Sequence, residues 1–221
     1  MESIYNYVDF LPDLKNSIMS CIPTGCYFLS VKFYSLFQDK KNIEVNENYS
    51  LNSSKNMISS SLANIFLSYP LFLKFSDLNS FNFLDIVVGI LTVDSLEYFF
   101  HFIFHKINFI YQYMHSYHHK PPFIEPRVSF FNNDLEILIT SPVILFFLVY
   151  LNLSFLEYIF VTSLSYISTV CDHTVTSKNK FHYIHHHVNK NTNFQQPFFT
   201  FWDHIFNTYN PKTELKIPFI P

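Results

Sequence analysis

Arginine is almost missing from this chain: Arg127 is the only one among 221 residues, beside one alanine (Ala63) and two glycines (Gly25 and Gly89). The bias reads as an AT-rich coding sequence, so the lack of a glycine or alanine at any one position carries little meaning. Charge is scarce as well, at 14% of residues, where soluble domains carry about a quarter. A net charge of −3 says nothing about a partner, and nothing in the sequence looks like a nucleic-acid footprint. Three cysteines, Cys21, Cys26 and Cys171, form no CxxC pair and exclude a disulfide framework. Cys171 stands two residues before His173, and is read as a buried apolar thiol before a thiolate ligand. Glu2 and Asp9 at the start replace a basic leader region, so no cleavable signal is expected. No lipid-anchor motif is expected at KIPFIP.

Apolar surface is plentiful: 49% hydrophobic residues, with 28 Phe and 15 Tyr. Set against the shortage of charge, this points to a membrane. The length suits one domain with an appended segment, divided here into membrane-associated segments and a polar loop over 1–80 and a main domain over 81–221. Residues 15–37 are apolar but interrupted by Pro23 and Lys32. Residues 38–59 are polar and Asn/Ser-rich, and read as a solvated loop. Residues 60–75 form a short apolar segment that Pro70 would break. From Phe83 to about His105 the run is apolar except at Asp94, Glu97 and two histidines. Its roughly 23 residues reach across a hydrocarbon core of about 30 Å. After the proline-broken KPPFIEPR, Leu135–Leu151 and Phe155–Val170 are parted only by Asn152, Leu153 and Ser154, which predicts a tight helical hairpin. The expected fold is therefore an all-α integral membrane bundle of about four helices with a histidine-rich cap on one side. Lys106, Lys120, Arg127, Lys178, Lys180 and Lys190 fall on that side, joined by Lys40, Lys41 and Lys55 if both N-terminal segments span. Positive residues favour the cytoplasm, so the cap is expected to face it.

Most of the eleven histidines are clustered. His101 and His105 are four apart and share a helix face. His115, His118 and His119 fall at about 0°, 300° and 40° on a helical count, and His182, His185 and His186 repeat that spacing. His187 falls about 100° beyond His186, off the shared face. Imidazole is the commonest metal ligand, and a polar ring without a partner is costly at membrane depth. With His173 these make nine nitrogen donors, too many for one ion and suited to two. All-imidazole sites suit iron, zinc, copper or nickel. Glu97, Asp94, Glu136, Asp172 and Asp203 are candidates to orient the rings from behind, Glu97 above all because it lies one turn before His101.

The strings HFIFH, HSYHH and FHYIHH, together with the later Asn193-Phe194 and Trp202-Asp203-His204-Ile205-Phe206-Asn207-Thr208, resemble the sterol desaturase/fatty acid hydroxylase superfamily over residues 85–210. The resemblance implies a membrane enzyme of the endoplasmic reticulum, with two iron ions held by His101, His105, His115, His118, His119, His173, His182, His185 and His186. It implies a reaction with O₂ that hydroxylates or desaturates a lipid. Electrons would come from NAD(P)H through a reductase and a separate cytochrome b5, no such domain being visible here. The tail and short chain look most like sterol-acting members; the alternatives are a fatty acid or sphingolipid hydroxylase, or a metal-binding relative without catalysis. Two departures stand out: Asn133, where members often carry a further histidine, and Gln195 in place of a glycine.

Overall fold

The computed structural model describes residues 14–38, 44–75, 80–174, 181–194 and 198–210. Gln195 and the basic residues Lys40, Lys41, Lys178 and Lys180 lie outside them. Every regular element among the described residues is helical. In chain order they are α1 (Leu14–Ser20), α2 (Ile22–Ser35), α3 (Glu47–Phe75), α4 (Phe83–Lys106), α5 (Asn108–Tyr113), α6 (Asp134–Tyr150), α7 (Phe155–Asp172), α8 (Phe181–His187) and α9 (Phe201–Ile205). Single 3₁₀ turns occupy His115–Tyr117 and Pro126–Val128.

The frame is a packed set of helices: α4 and α7 run the same way, each ending at histidines, and α6 runs opposite to α7. α7 lies against α2 and α4, and α6 lies against α3 and α4. Phe72, Ile86, Val93, Leu145, Leu148, Phe155, Tyr158 and Val161 bury one another where α3, α4, α6 and α7 meet. Gly89 lets α4 approach closely: a β-carbon there would stand 2.7 Å from Leu153 and 3.1 Å from Val161. A second, smaller core joins Tyr27, Met57 and Val170 from α2, α3 and α7.

The expected hairpin is present, and its turn has a local cause. Asn152 adopts a left-handed φ of 60°, Leu153 N–H donates to Leu148 O and Asn152 N–H to Val149 O, which closes the end of α6. Ser154 then opens α7 with a capping box to Glu157. Glu157 also accepts from the Asn82 amide at 2.6 Å, so the starts of α4 and α7 are tied at the end away from the histidines.

The expected solvated loop is corrected. Residues 47–59 belong to the 29-residue α3, which also runs through Pro70. Asn and Ser are weak helix formers, but here their side chains are used in tertiary bonds. Asn46 Nδ2 donates to Phe123 O at 2.8 Å, Asn56 Nδ2 to Asn132 O at 2.6 Å, and the Phe130 amide donates to Ser53 Oγ at 3.1 Å. The expected count of about four membrane helices is met by one on length and composition: among the described residues only α4 is long and apolar enough to cross. α6 has 17 residues, and α3 begins polar. Only 33% of the most apolar part of α4 is buried, so Leu84, Val88, Leu91 and Ile103 present hydrocarbon outward.

Candidate metal centre

α4 ends with His101 and His105 one turn apart. α5 stops at Tyr113, and the second histidine string sits on a 3₁₀ turn rather than the expected α-helix. The change matters: the tighter turn sends His115 and His119 to one side and His118 to another. α8 is the short helix expected for the third string, and His173 follows the last residue of α7.

The nine histidines come together in two groups. His101, His105, His115, His119 and His185 form one; His118, His173, His182 and His186 form the other, with donor atoms in each lying within 4.8 Å of one another. Each string containing His-His therefore serves both groups, which the single-stripe geometry of the sequence did not anticipate. His187 is exposed and packs at a tilt against Tyr183, outside both groups.

The tautomers are set from behind. His101 Nδ1 lies 3.0 Å from Phe194 O, His118 Nδ1 3.3 Å from Phe131 O, His173 Nδ1 2.8 Å from Thr169 O, and His185 Nδ1 2.8 Å from Thr192 O. A carbonyl only accepts, so each Nδ1 carries the proton and each Nε2 turns a lone pair forward. His115 does the same with Glu136 Oε1 at 2.9 Å. In front, His186 Nε2 stands 3.1 Å from His118 Nε2 and 3.0 Å from His182 Nε2. His119 Nε2 stands 3.1 Å from His105 Nε2 and 3.3 Å from His185 Nε2. The Nε2 atoms of His101 and His115 are buried without a partner. Burial first, then neighbouring imidazoles, holds His118, His119, His182, His185 and His186 far below the ordinary imidazole pKa, and burial lowers His173 to about 4. The rings are neutral ligands, and buried lone pairs that converge in this way are costly unless a cation is shared between them. The donor set fits two metal ions.

The expected orienting groups divide. Glu136 holds His115 directly. Asp203 acts at one remove: its Oδ1 accepts from the Phe194 amide at 2.9 Å and from Thr208 Oγ1 at 2.5 Å, fixing the loop whose carbonyl holds His101. Asp94 accepts from the amides of Phe198 and Phe199 at 2.8 and 3.0 Å. Asn133 caps α6 and donates to Tyr113 O at 3.3 Å, touching the second string only through backbone. Glu97 and Asp172 make no hydrogen bond to a histidine among the described residues. Sequence reasoning missed the carbonyls of Phe131, Thr169, Thr192 and Phe194, which have no side-chain signal. It had noted the tail that positions one of them: Tyr98 Oη meets Thr208 Oγ1 at 3.0 Å, and Asn193, at φ 58°, donates its amide to Thr208 O.

Below the histidines a cavity of about 150 Å³ runs between α4, α6 and α7. Val93, Phe104, Ile144 and Leu145 give it apolar walls, and His101, His115, His118, His173 and His182 close one end. Both metal groups thus border one cavity, whose lining also includes Glu97, Asn132, Thr140 and Ser141.

Fold and site together define a helical protein with two histidine clusters able to hold metal ions, bordering a partly apolar cavity. The family model for fatty acid hydroxylases matches residues 86–208, and the chain belongs to that family. It is 31% identical over 140 residues to sphinganine C4-monooxygenase 2 of Arabidopsis thaliana, covering 57% of this chain and 54% of that one. It is 32% identical to the sphingolipid C4-hydroxylase SUR2 of Saccharomyces cerevisiae, over 57% of this chain and 40% of the relative. It is 30% identical to the very-long-chain aldehyde decarbonylase GL1-9 of rice, over 61% and 56%. The chain spans about half the length of the curated relatives it matches. No solved structure matches it.

Proposed function

We propose that the chain is the catalytic core of a membrane lipid hydroxylase, with residues 81–221 as its catalytic domain. The observation that carries this is the single cavity joining an apolar interior to histidines of both groups. Sphingolipid C4-hydroxylases among the relatives favour a sphingolipid-type substrate over the sterol expected from the tail. In the proposed reaction one atom of O₂ enters a C–H bond as hydroxyl. The other leaves as water, with two electrons and two protons drawn from outside the chain, NAD(P)H supplying the electrons through a cytochrome b5-type donor. Two iron ions, when bound, supply the O₂ activation that an unactivated C–H bond requires.

The protein's own part is binding and placement. His101, His105, His115, His119 and His185 would hold one ion, and His118, His173, His182 and His186 the other. Glu136 and the carbonyls behind the rings keep Nε2 unprotonated and aimed. Val93, Phe104, Ile144 and Leu145 exclude water and lay a hydrocarbon chain beside the centre. The outward apolar face of α4 suits contact with a bilayer, and the proposed membrane is that of the endoplasmic reticulum with the histidines toward the cytoplasm.

The test is lipid analysis of cells making the native chain or His118→Ala at equal levels. A hydroxylated long-chain lipid that depends on oxygen and disappears in His118→Ala is expected. Identical lipid profiles from metal-loaded native protein and the variant would overturn the reading.

A further inference from the structure

A short surface helix joins the five-histidine group to the exterior. α5 links the first two histidine strings, and none of its six residues is buried. It lies against the end of α4 and the 3₁₀ turn at His115–Tyr117. Tyr111 is its half-buried aromatic, between exposed Phe109 and Tyr113. The Tyr111 ring faces three rings of the group, with centroids 5.1 Å from His105, 6.1 Å from His119 and 6.4 Å from His115. On the outer side its hydroxyl accepts from Lys190 Nζ at 3.2 Å, and Lys190 is exposed. A single side chain therefore reaches from a surface ammonium group to the histidine rings.

The same neighbourhood is basic. Lys106 follows His105 in the chain and Lys120 follows His119, and both are exposed. Lys120 Nζ stands 3.7 Å from the centre of the Tyr117 ring, and Lys106 Nζ 5.3 Å from that of Phe102. Neither they nor Lys190 form an ion pair among the described residues. The exposed acids Glu44, Glu47 and Asp134 stand at or just before the starts of α3 and α6, where those two helices pack on each other. Isolated surface charges add little stability, whereas charges of one sign gathered on a face steer a partner of the opposite sign.

We propose that Tyr111, Lys106, Lys120 and Lys190 form the docking surface for an acidic one-electron donor protein, and that electrons cross to the five-histidine group through the Tyr111 ring. The inference rests on the lipid-hydroxylase reading, in which two electrons enter from outside the chain per turnover. Each encounter oxidises one donor by one electron and reduces an ion held by the histidines, so two encounters supply the pair. Tyr111 stays a neutral phenol throughout. Its part is contact, because an electron tunnels more readily through touching atoms than across a gap. Electron-transfer encounters are small and weak, so a few charges are enough to set the approach and orientation of the donor.

The test uses the full chain in nanodiscs of phosphatidylcholine, which carries no net charge, with metal content measured on every sample. The probe is the soluble haem domain of cytochrome b5, an acidic one-electron carrier. Binding of the oxidised probe, and oxidation of the reduced probe in air above its rate alone, are measured separately. Lys106→Glu/Lys190→Glu is expected to weaken binding and slow oxidation by at least about tenfold at low salt, the difference shrinking as salt rises. Lys55→Glu, the same reversal on α3, is expected to behave as native. Tyr111→Leu is expected to bind the probe as native does but oxidise it more slowly at saturation, while Tyr111→Phe keeps the native rate. If Tyr111→Leu loads less metal, the exposed lysines decide. Native affinity and rate in the lysine variant overturn the proposal, as does an equal loss in Lys55→Glu, which would reflect net charge alone. A lysine effect that appears only with phosphatidylserine in the nanodisc would assign these side chains to lipid head groups and overturn it too. Native protein that oxidises the probe with the expected lysine dependence yet forms no hydroxylated lipid defeats the hydroxylase reading instead, and leaves the docking surface standing.

Discussion

His186 and His187 are neighbours in sequence whose rings part company in the fold. His186 Nε2 stands about a hydrogen-bond length from two other ring nitrogens, while His187 is exposed against Tyr183. One helical step of about 100° is the whole difference. His186→Ala is therefore expected to lower bound metal and abolish lipid oxidation, whereas His187→Ala keeps most of both. Metal analysis at matched expression reads the contrast, because losing metal can itself destabilise the fold. Equal loss in a folded His187→Ala would mean that the ring assignment of α8 is wrong. Side-chain spacing alone makes this distinction legible. The same spacing says nothing about Phe131, Thr169, Thr192 or Phe194, because a carbonyl is present at every residue and only the fold chooses which of them meets an imidazole.

Elements were legible where one physical signal dominated. α4, α6 and α7 are apolar runs with sharp ends, and Asn152 and Ser154 mark the hairpin turn by their own chemistry. α3 was not legible in its first half, because Asn and Ser favour turns locally while its stability comes from bonds to residues about 75 positions away, such as Asn56 with Phe130 and Asn132. The second histidine string was misread for a related reason: helical spacing is consistent with an α-helix, but α5 ends at Tyr113 and a 3₁₀ turn follows. The tail element α9 shows how a remote acid reaches the centre. Asp203→Ala would release the Phe194 amide and the Thr208 hydroxyl together, freeing the carbonyl that fixes His101. The expected outcome is a roughly 10–100-fold loss of affinity at the His101 group with a smaller change at the His118 group, where His118 and His173 are held by the carbonyls of Phe131 and Thr169. Metal titration of the two sites, with helical content followed by circular dichroism, checks it. Equal weakening of both groups would show that the tail holds the fold as a whole rather than one ring.

At the scale of the molecule, the helix ends sort into two faces. The histidines, the end of α4 and the start of α3 share one, the last because Asn46 and Asn56 bond to the segment 123–132 that follows the second histidine string. The α6–α7 turn lies on the other, with Asn82 and Ser80 tied to it through Glu157 and Ser154. Three Asn-x-Ser sequons report on this arrangement: Asn48 and Asn52 near the histidine face, and Asn152 in the opposite turn. With the histidine face toward the cytoplasm, as its basic residues favour, Asn48 and Asn52 meet no glycosylation machinery. Asn152 would then face the lumen and is still expected to stay bare. Leu153 and Ser154 are fully buried, and the Ser154 hydroxyl is held as the cap of α7 and as donor to Ser80 O at 2.6 Å, so the sequon cannot be presented in an extended form. In cells with active glycosylation, glycosidase treatment should leave the mass of the full chain unchanged. A shift lost in Asn152→Gln would mean that the turn opens before it packs. A shift lost in Asn48→Gln/Asn52→Gln would turn the histidine face to the lumen, away from any cytoplasmic electron donor, and the proposed source of electrons would fall with it.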